Sequence, residues 1–167
     1  MESIQKVITI TGVPSSGKST LAKKLAEFHG DAAVICVDYA YHSMAKVKGV
    51  EPHEFSNPKY WQKIPTEELA RLKRNAYIEL MTKELNKNKA KVLIIEGYGL
   101  CFPQDRVALA EALDEWYKEI EFFHILKHVS FENWCKQKGV IPSQKRKEEF
   151  ENLKGIASMY RGSLVVV

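Results

Sequence analysis

Short runs of apolar residues alternate along the chain with longer stretches in which apolar positions recur at helical spacing. The apolar runs predict strands at 7–11, 33–37, 92–96, 121–126 and 163–167. The longer stretches predict helices at about 18–29, 66–88, 105–119, 130–137 and 145–160. Alternation of this kind predicts an α/β fold in three layers, with a five-stranded, mostly parallel sheet and helices on both faces.

The stretch from about 39 to 65 follows neither pattern. It contains Gly49, Pro52, Pro58 and Pro65, which interrupt regular structure, together with several aromatic residues. We expect either a functional loop or short helices here. The remaining chain has no repeat and no linker, and 167 residues are typical of one domain, so we expect a single domain over residues 1–167.

A glycine-rich loop lies between the first predicted strand and the first predicted helix. Its residues match the motif G-x-x-x-x-G-K-[ST] and run on to Thr20: Gly12, Val13, Pro14, Ser15, Ser16, Gly17, Lys18, Ser19 and Thr20. Glycines let successive backbone N–H groups point at an anion, and the helix N-terminus adds its positive end. We therefore expect this loop to bind a nucleoside triphosphate, with Lys18 at the β- and γ-phosphates and Ser19 as a Mg²⁺ ligand.

Two carboxylates stand at the ends of predicted strands. Asp38 follows the second strand, and Glu96 ends the third. The carboxyl ends of parallel strands line the ligand crevice, so both are candidates to activate a hydroxyl and to organise Mg²⁺. The alternatives are that Asp38 only starts a turn or caps a helix, and that Glu96 followed by Gly97 is a simple loop entry.

Motifs of other nucleotide-binding classes do not occur in the sequence. There is no D-x-x-G after the third predicted strand and no N-K-x-D later, as a GTPase switch would have. The third strand ends in Glu-Gly rather than in the Asp-Glu of an ATPase motor. The donor base, ATP or GTP, remains open.

Three segments together resemble one group of kinases. The segments GVPSSGKST, DYAYH and VLIIEGY are similar to those of the uridine kinase and nicotinamide riboside kinase group of P-loop kinases, and FSNP resembles that group's F-D-x-P segment. The resemblance covers about residues 5–100 and implies a P-loop NTPase fold. It also implies that Asp38 is the general base and that Glu96 holds Mg²⁺ through water or binds the acceptor hydroxyls. By the same resemblance, the acceptor pocket is walled by Tyr39, Tyr41, Tyr60 and Trp61.

The resemblance further implies a cationic lid after the fourth strand, in the region of residues 127–147. The candidate cations are Lys136, Lys138, Lys145 and Arg146. Only one of these is an arginine, and lysine binds phosphate as a point charge rather than as a bidentate fork. The alternative is that these residues are only a solvated face.

Composition and charge narrow the class of protein. The balance of 25 Lys and Arg against 21 Asp and Glu gives a net charge of +4, which suits a nucleotide or polyanion partner. No apolar run approaches the roughly 20 residues of a membrane span. The three cysteines, Cys36, Cys101 and Cys135, are widely spaced and form no zinc motif. We therefore expect a cytoplasmic protein with free thiols and no membrane partner.

The expected function is an ATP-dependent kinase that transfers the γ-phosphate to a hydroxyl of a small acceptor, with a nucleoside as the first candidate. Two alternatives keep the reaction and change the acceptor: the 5′-hydroxyl of a polynucleotide, favoured by the basic stretch 136–147, or a small alcohol such as an antibiotic. A third alternative is a nucleotide-binding regulatory module that has no acceptor. The sequence does not determine the oligomeric state.

Overall fold

A computed structural model of the chain describes residues 4–55, 58–87, 90–114, 121–157 and 164–166. Five strands form one sheet in the order β2-β3-β1-β4-β5, and each neighbouring pair is parallel. This sheet, with helices on both faces, confirms the predicted α/β class. The strands are β1 (Lys6–Thr11), β2 (Ala32–Cys36), β3 (Val92–Glu96), β4 (Glu121–Leu126) and β5 (Leu164–Val166).

Each helix that the sequence pattern predicts is present over its described residues. Predicted helix and strand ends at residues 88, 115–119, 158–160, 163 and 167 lie outside the described residues, as do Ser56 and Asn57 of the FSNP segment. No helix within the described ranges is long and apolar enough to cross a membrane. The helices are α1 (Lys18–His29), α2 (Asp38–Lys48), α3 (Pro52–Phe55), α4 (Pro58–Trp61), α5 (Thr66–Lys87), α6 (Pro103–Asp114), α7 (Phe131–Lys138) and α8 (Gln144–Ala157), with a 3₁₀ turn at Tyr98–Cys101.

The central strands are apolar on both faces because helices cover both. Successive residues of a strand point to opposite sides. In β3, Leu93 and Ile95 pack against the cluster that contains α2, α5 and α6, whereas Val92 and Ile94 pack towards α1. This explains why the strands appear in the sequence as continuous apolar runs.

The irregular stretch after β2 is mostly helical. Residues Asp38–Lys48 form α2, an 11-residue helix, and two one-turn helices follow. The expectation of a long loop is therefore wrong, and the alternative of helices is correct. Helix α2 buries Ala40, Met44 and Ala45 and ends at Gly49, whose φ of 66° allows the left-handed C-cap. Its first residue is the carboxylate predicted at the end of β2.

Candidate active site

The glycine-rich loop wraps between β1 and α1 in a conformation that its residue types permit. Gly12 has a φ of 147°, and a Cβ there would lie 2.5 Å from the Lys127 carbonyl oxygen. Gly17 has a φ of 87° and precedes α1, while Ser15 is the one non-glycine residue with positive φ in the described chain. No other residue fits at Gly12 without moving the segment after β4. The loop therefore has the shape that the motif predicts.

Two buried polar groups of this loop, the Lys18 ammonium and the Ser16 hydroxyl, are suited to bind an anion. The Lys18 ammonium donates to the Val13 carbonyl over 2.8 Å. Burial lowers the pKa of Lys18, and the nearby carboxylates of Glu96 and Asp38 act in the opposite direction. The Ser16 hydroxyl is buried and has no hydrogen-bond partner among the described residues. A buried hydroxyl without a partner is costly, so a ligand oxygen at this loop would relieve it.

Ser19 and Glu96 come together although they are far apart in the sequence. The Ser19 hydroxyl donates to Glu96 Oε1 over 3.0 Å, and Glu96 is buried at the end of β3. A hydroxyl and a carboxylate are the hard oxygen donors that Mg²⁺ prefers, and this ion is usually held by one or two protein groups together with substrate phosphates. The pair therefore fits the Mg²⁺ that such loops employ. No larger cluster of His, Cys, Asp or Glu suited to a metal occurs in the described chain.

A cleft of about 550 Å³ opens over the loop. Asp38 and Glu96 line it together with Lys18 and Ser19, so the four side chains predicted for this chemistry share one cavity. The sequence reasoning missed three further lining residues: Cys36, Tyr98 and Gln137. Cys36 ends β2 and Tyr98 lies two residues beyond β3, so their position at strand ends was a usable signal. Nothing in the sequence places Gln137 there.

Burial changes the chemistry of two of these residues. It raises the pKa of the Cys36 thiol to about 12, and the Glu96 and Asp38 carboxylates add to this effect. It also raises the pKa of the Tyr98 phenol to about 12. Both groups are therefore neutral at physiological pH, so they contribute packing and hydrogen bonds rather than a nucleophile.

A second cavity of about 590 Å³ adjoins the cleft and shares two residues with it, Asp38 and Tyr98. We call this cavity the aromatic chamber. Asp38 thus lies where a phosphate on the loop and a molecule in the chamber would meet. The chamber is lined by Asp38, Tyr41, His42, Trp61, Tyr98, Gly99, Phe102 and Ile156.

The four predicted acceptor-wall residues separate into two pairs. Tyr41 and Trp61 line the aromatic chamber. Tyr39 is 62 % exposed and stands edge-on to the His42 ring, and Tyr60 packs against Phe55 instead. Neither Tyr39 nor Tyr60 is among the described lining residues of either cavity. For Tyr39 and Tyr41 the reason is helical geometry, because residues 39 and 41 of α2 lie on different faces.

Helix α7 packs directly on the glycine-rich loop. The Trp134 indole N–H donates to the Pro14 carbonyl over 2.9 Å, and the Trp134 side chain is fully buried. Phe131 and Phe150 stack around it. The region predicted as a lid therefore touches the loop through an aromatic side chain.

The four candidate lid cations are not among the described residues that line the cleft. Lys138 and Arg146 both form ion pairs with Glu149, the latter at 2.6 Å. Lys136 and Lys145 are exposed. Hydrogen bonds from Lys138 and then from Arg146 lower the pKa of Glu149. In this arrangement two of the four cations are engaged with a carboxylate.

Comparison with known proteins gives a family and a fold. The family described as "Chromatin associated protein KTI12" matches residues 6–96. No curated protein matches the sequence. Among solved structures, a shikimate kinase from Acinetobacter baumannii in complex with shikimate is 17 % identical, with a TM-score of 0.51, over 98 % of this chain and 83 % of the other. A gluconokinase from Sinorhizobium meliloti 1021 is 16 % identical, with a TM-score of 0.52, over 99 % of this chain and 83 % of the other.

These similarities show the P-loop kinase-like fold. The resemblance to the uridine kinase group is not confirmed, since neither the family match nor these two structures belong to it.

Proposed function

We propose that this chain, which belongs to the family of the chromatin associated protein KTI12, is an ATP-dependent phosphotransferase with a hydroxyl acceptor. The family model matches residues 6–96, more than half of the 167 residues. One observation carries the proposal. Asp38 lines both the cleft over the glycine-rich loop and the aromatic chamber beside it. A carboxylate between a phosphate site and a second cavity is positioned to act on a hydroxyl that enters from that cavity.

The proposed reaction is an in-line displacement. The acceptor oxygen forms a bond to the γ-phosphorus, the bond to the β–γ bridging oxygen breaks, and ADP leaves. The hydroxyl proton passes to the Asp38 carboxylate. Lys18 lies at the loop and balances charge on the transferring phosphoryl group, while the loop N–H groups hold the β-phosphate. Positioning supplies most of the rate enhancement, because the two reactants are held in adjoining cavities.

Magnesium is the metal that this reaction calls for. Ser19 and Glu96 are the residues that would hold it, Glu96 directly or through water. When bound, Mg²⁺ neutralises charge on the triphosphate. The protein residues then have the task of aligning the acceptor and accepting its proton.

A nucleoside is the first acceptor candidate, ahead of a polynucleotide 5′-hydroxyl or a small alcohol such as an antibiotic. Salt dependence separates the polynucleotide from the others. Phosphate contacts release counterions, so binding of a 5′-hydroxyl oligonucleotide would weaken steeply as salt rises. Binding of a nucleoside would change little.

The decisive experiment measures γ-phosphoryl transfer from ATP with Mg²⁺ to a panel of nucleosides, nucleoside monophosphates, small alcohols and 5′-hydroxyl oligonucleotides. We expect Asp38→Asn to reduce transfer at least about 100-fold while ATP binding survives, since general-base catalysis contributes roughly 10²–10⁴-fold. Asp31→Asn is the matched control, because Asp31 is exposed and precedes β2, at the opposite edge of the sheet. Equal transfer by the Asp38 variant and wild type would remove Asp38 from the reaction.

The second candidate function is a nucleotide-binding regulatory protein that has no acceptor. The family description, a chromatin associated protein, favours it. In that case ATP binds, no member of the panel is phosphorylated, and the bound nucleotide changes the affinity for a protein partner. A complete panel without transfer, together with ATP binding that Lys18→Ala abolishes, would select this function.

A further inference from the structure

The walls of the aromatic chamber are mainly flat rings. Tyr41, Trp61, Tyr98 and Phe102 all contribute, and Tyr98 and Phe102 meet edge to face at 5.5 Å between ring centroids. A volume of about 590 Å³ lies within the roughly 300–1,000 Å³ of small-molecule sites. Several rings around one such cavity suit a ligand that carries a ring of its own, because stacked and edge-on contacts between rings are favourable.

A buried ion pair contacts two of these rings, Tyr41 and Trp61, and holds them in place. Lys73 on α5 is 3 % exposed and pairs with Asp105 on α6, which is fully buried. The Tyr41 hydroxyl donates to Asp105 over 3.2 Å, and the Lys73 ammonium lies 5.9 Å from the Tyr41 ring centroid and 5.5 Å from that of Trp61. Burial, together with the Asp105 carboxylate, raises the pKa of the Tyr41 phenol, so Tyr41 stays a hydrogen-bond donor.

This arrangement preorganises the chamber wall. A Tyr41 ring anchored at its hydroxyl and a Trp61 ring held over an ammonium group lose little conformational freedom when a ligand arrives. Tyr77 donates to the same Asp105 carboxylate over 3.1 Å, so two phenols and the Lys73 ammonium hold this group in place. Tyr41 and Trp61 are therefore partly buried side chains that pack against the core.

Charge gives the chamber a second selective property. Asp38 is the carboxylate among its described lining residues, which also include the His42 imidazole, and it stands at the end that opens to the phosphate cleft. The positive charge of Lys73 is matched by Asp105 beneath the rings. The Lys18 ammonium, which acts on Asp38 across the cleft, faces the triphosphate when ATP is bound. An anionic ligand in the chamber would then meet the Asp38 carboxylate, and this repulsion is unfavourable in a partly dehydrated cavity.

We propose that the aromatic chamber binds an uncharged alcohol that carries a flat ring, such as a nucleoside, and rejects phosphorylated or carboxylated analogues of it. The ring packs against Tyr41 and Trp61, and its hydroxyl faces Asp38. This inference rests on the proposed function, since it assigns the chamber to the acceptor.

The test is equilibrium binding by calorimetry, with Mg²⁺ and an ATP analogue whose γ-phosphate cannot be transferred. The panel comprises adenosine and uridine, their 3′- and 5′-monophosphates, and ribose and inositol as alcohols without an aromatic ring. We expect the nucleosides to bind at least about tenfold more tightly than either group of analogues. Because this comparison uses the wild-type protein, it does not depend on the folding of any variant.

Variants then assign the selectivity to residues. Trp61→Leu should weaken nucleoside binding by roughly 5- to 100-fold, the range seen when a stacking ring is removed. Phe28→Leu is the matched control, because Phe28 on α1 is 84 % exposed, and it should leave binding unchanged. Asp38→Asn should narrow the gap between nucleosides and their 3′-monophosphates, since it removes the repelling charge.

The inference is overturned if monophosphates bind as tightly as nucleosides, if ribose and inositol match them, or if none of the panel binds. Phosphoryl transfer to some other alcohol in the assay described above would then leave the proposed function intact. Conversely, selective nucleoside binding without any transfer would support the chamber's selectivity and contradict the kinase.

Discussion

Gly97, the residue directly after β3, lies against the segment that follows β2. Its φ of 152° is a conformation that side chains rarely adopt, and a Cβ there would collide with the Val37 side chain and lie 3.5 Å from Asp38 Oδ1. Val37 is fully buried, so it has no room to yield. The glycine after Glu96 therefore lets the end of β3 pack closely against Val37 and Asp38.

We expect Gly97→Ala to lower the free energy of unfolding by about 3 kcal/mol or more, through backbone strain and overpacking, and to abolish phosphoryl transfer. Gly139→Ala is the control, because Gly139 also has a positive φ, 69°, but a Cβ there meets nothing within 4 Å. That change should cost only about 1–2 kcal/mol and spare the activity. Urea unfolding checks both, and equal losses would show that crowding at Gly97 is unimportant.

His124 provides a pH-dependent contribution to stability. It lies on β4 beside Thr9, whose hydroxyl contacts His124 Nδ1, and burial followed by the charge of Arg106 lowers its pKa. Below about pH 6.5 the His124 imidazole is protonated in the unfolded chain but still neutral in the folded chain. The free energy of unfolding therefore falls as the pH drops towards the folded-state pKa. The stabilising effect is complete above that window.

The expected result is a greater loss of melting temperature between pH 7.5 and pH 5.5 for wild type than for His124→Asn. Thermal unfolding at the two pH values measures it, and taking the difference between the two proteins cancels the titration of other groups. An identical loss in both would assign the pH dependence elsewhere.

Helix α7 is the element that ties the region after β4 to the glycine-rich loop. Ser130 caps its N-terminus by accepting from the Asn133 backbone N–H, and Gly139 ends it in the left-handed conformation. Between these caps, Trp134 reaches the Pro14 carbonyl. Loss of the Trp134 contact should therefore alter the loop where the phosphates bind.

Trp134→Phe keeps an aromatic ring but removes the N–H donor, leaving the Pro14 carbonyl without this partner. We expect ATP affinity to fall about 3- to 10-fold, in line with a hydrogen-bond contribution of roughly 0.5–1.5 kcal/mol. Phe150→Leu is the control, since Phe150 belongs to the same cluster but has no group that could hydrogen-bond to the loop. It should lower the melting temperature and spare the ATP affinity, and a similar loss of affinity in both variants would make the effect one of general packing.

At the scale of the whole molecule, the site assembles only when three parallel strands are in register. Cys36, Glu96 and Ile10 are paired across β2, β3 and β1, which brings the loop and both carboxylates to one edge of the sheet. A ligand that binds this edge links β1, α1 and the segments after β2 and β3. Binding of ATP should therefore stabilise the fold as a unit.

With ATP and Mg²⁺ at about 100 times the dissociation constant, we expect stabilisation of roughly 2.7 kcal/mol, or about 5–10 °C in melting temperature. Lys18→Ala should lose most of this shift. Lys23→Ala, an exposed lysine on the same helix, should retain it. A full shift in the Lys18 variant would mean that nucleotide binds elsewhere.

The sequence by itself determined the α/β class, the glycine-rich loop and α1, because these depend on local patterns: apolar runs buried on both faces, and glycines at positions of positive φ. It also indicated that Asp38 and Glu96 stand at strand ends, since strand ends in a parallel sheet share an edge. Only the tertiary structure decided which aromatic residues line the chamber. Tyr41 lines the chamber and Tyr39 does not, because the two residues lie on different faces of α2. The sequence did not predict this helix, since the glycine and proline residues of the stretch suggested a loop.

The contacts of Gln137 with the cleft, of Trp134 with Pro14 and of Lys73 with Asp105 were likewise decided by tertiary packing. Each of the last two joins residues more than 30 positions apart, and Gln137 reaches the cleft from a helix that follows β4. Local propensity carries no information on such pairs. Their meeting is set by how the helices pack on the sheet.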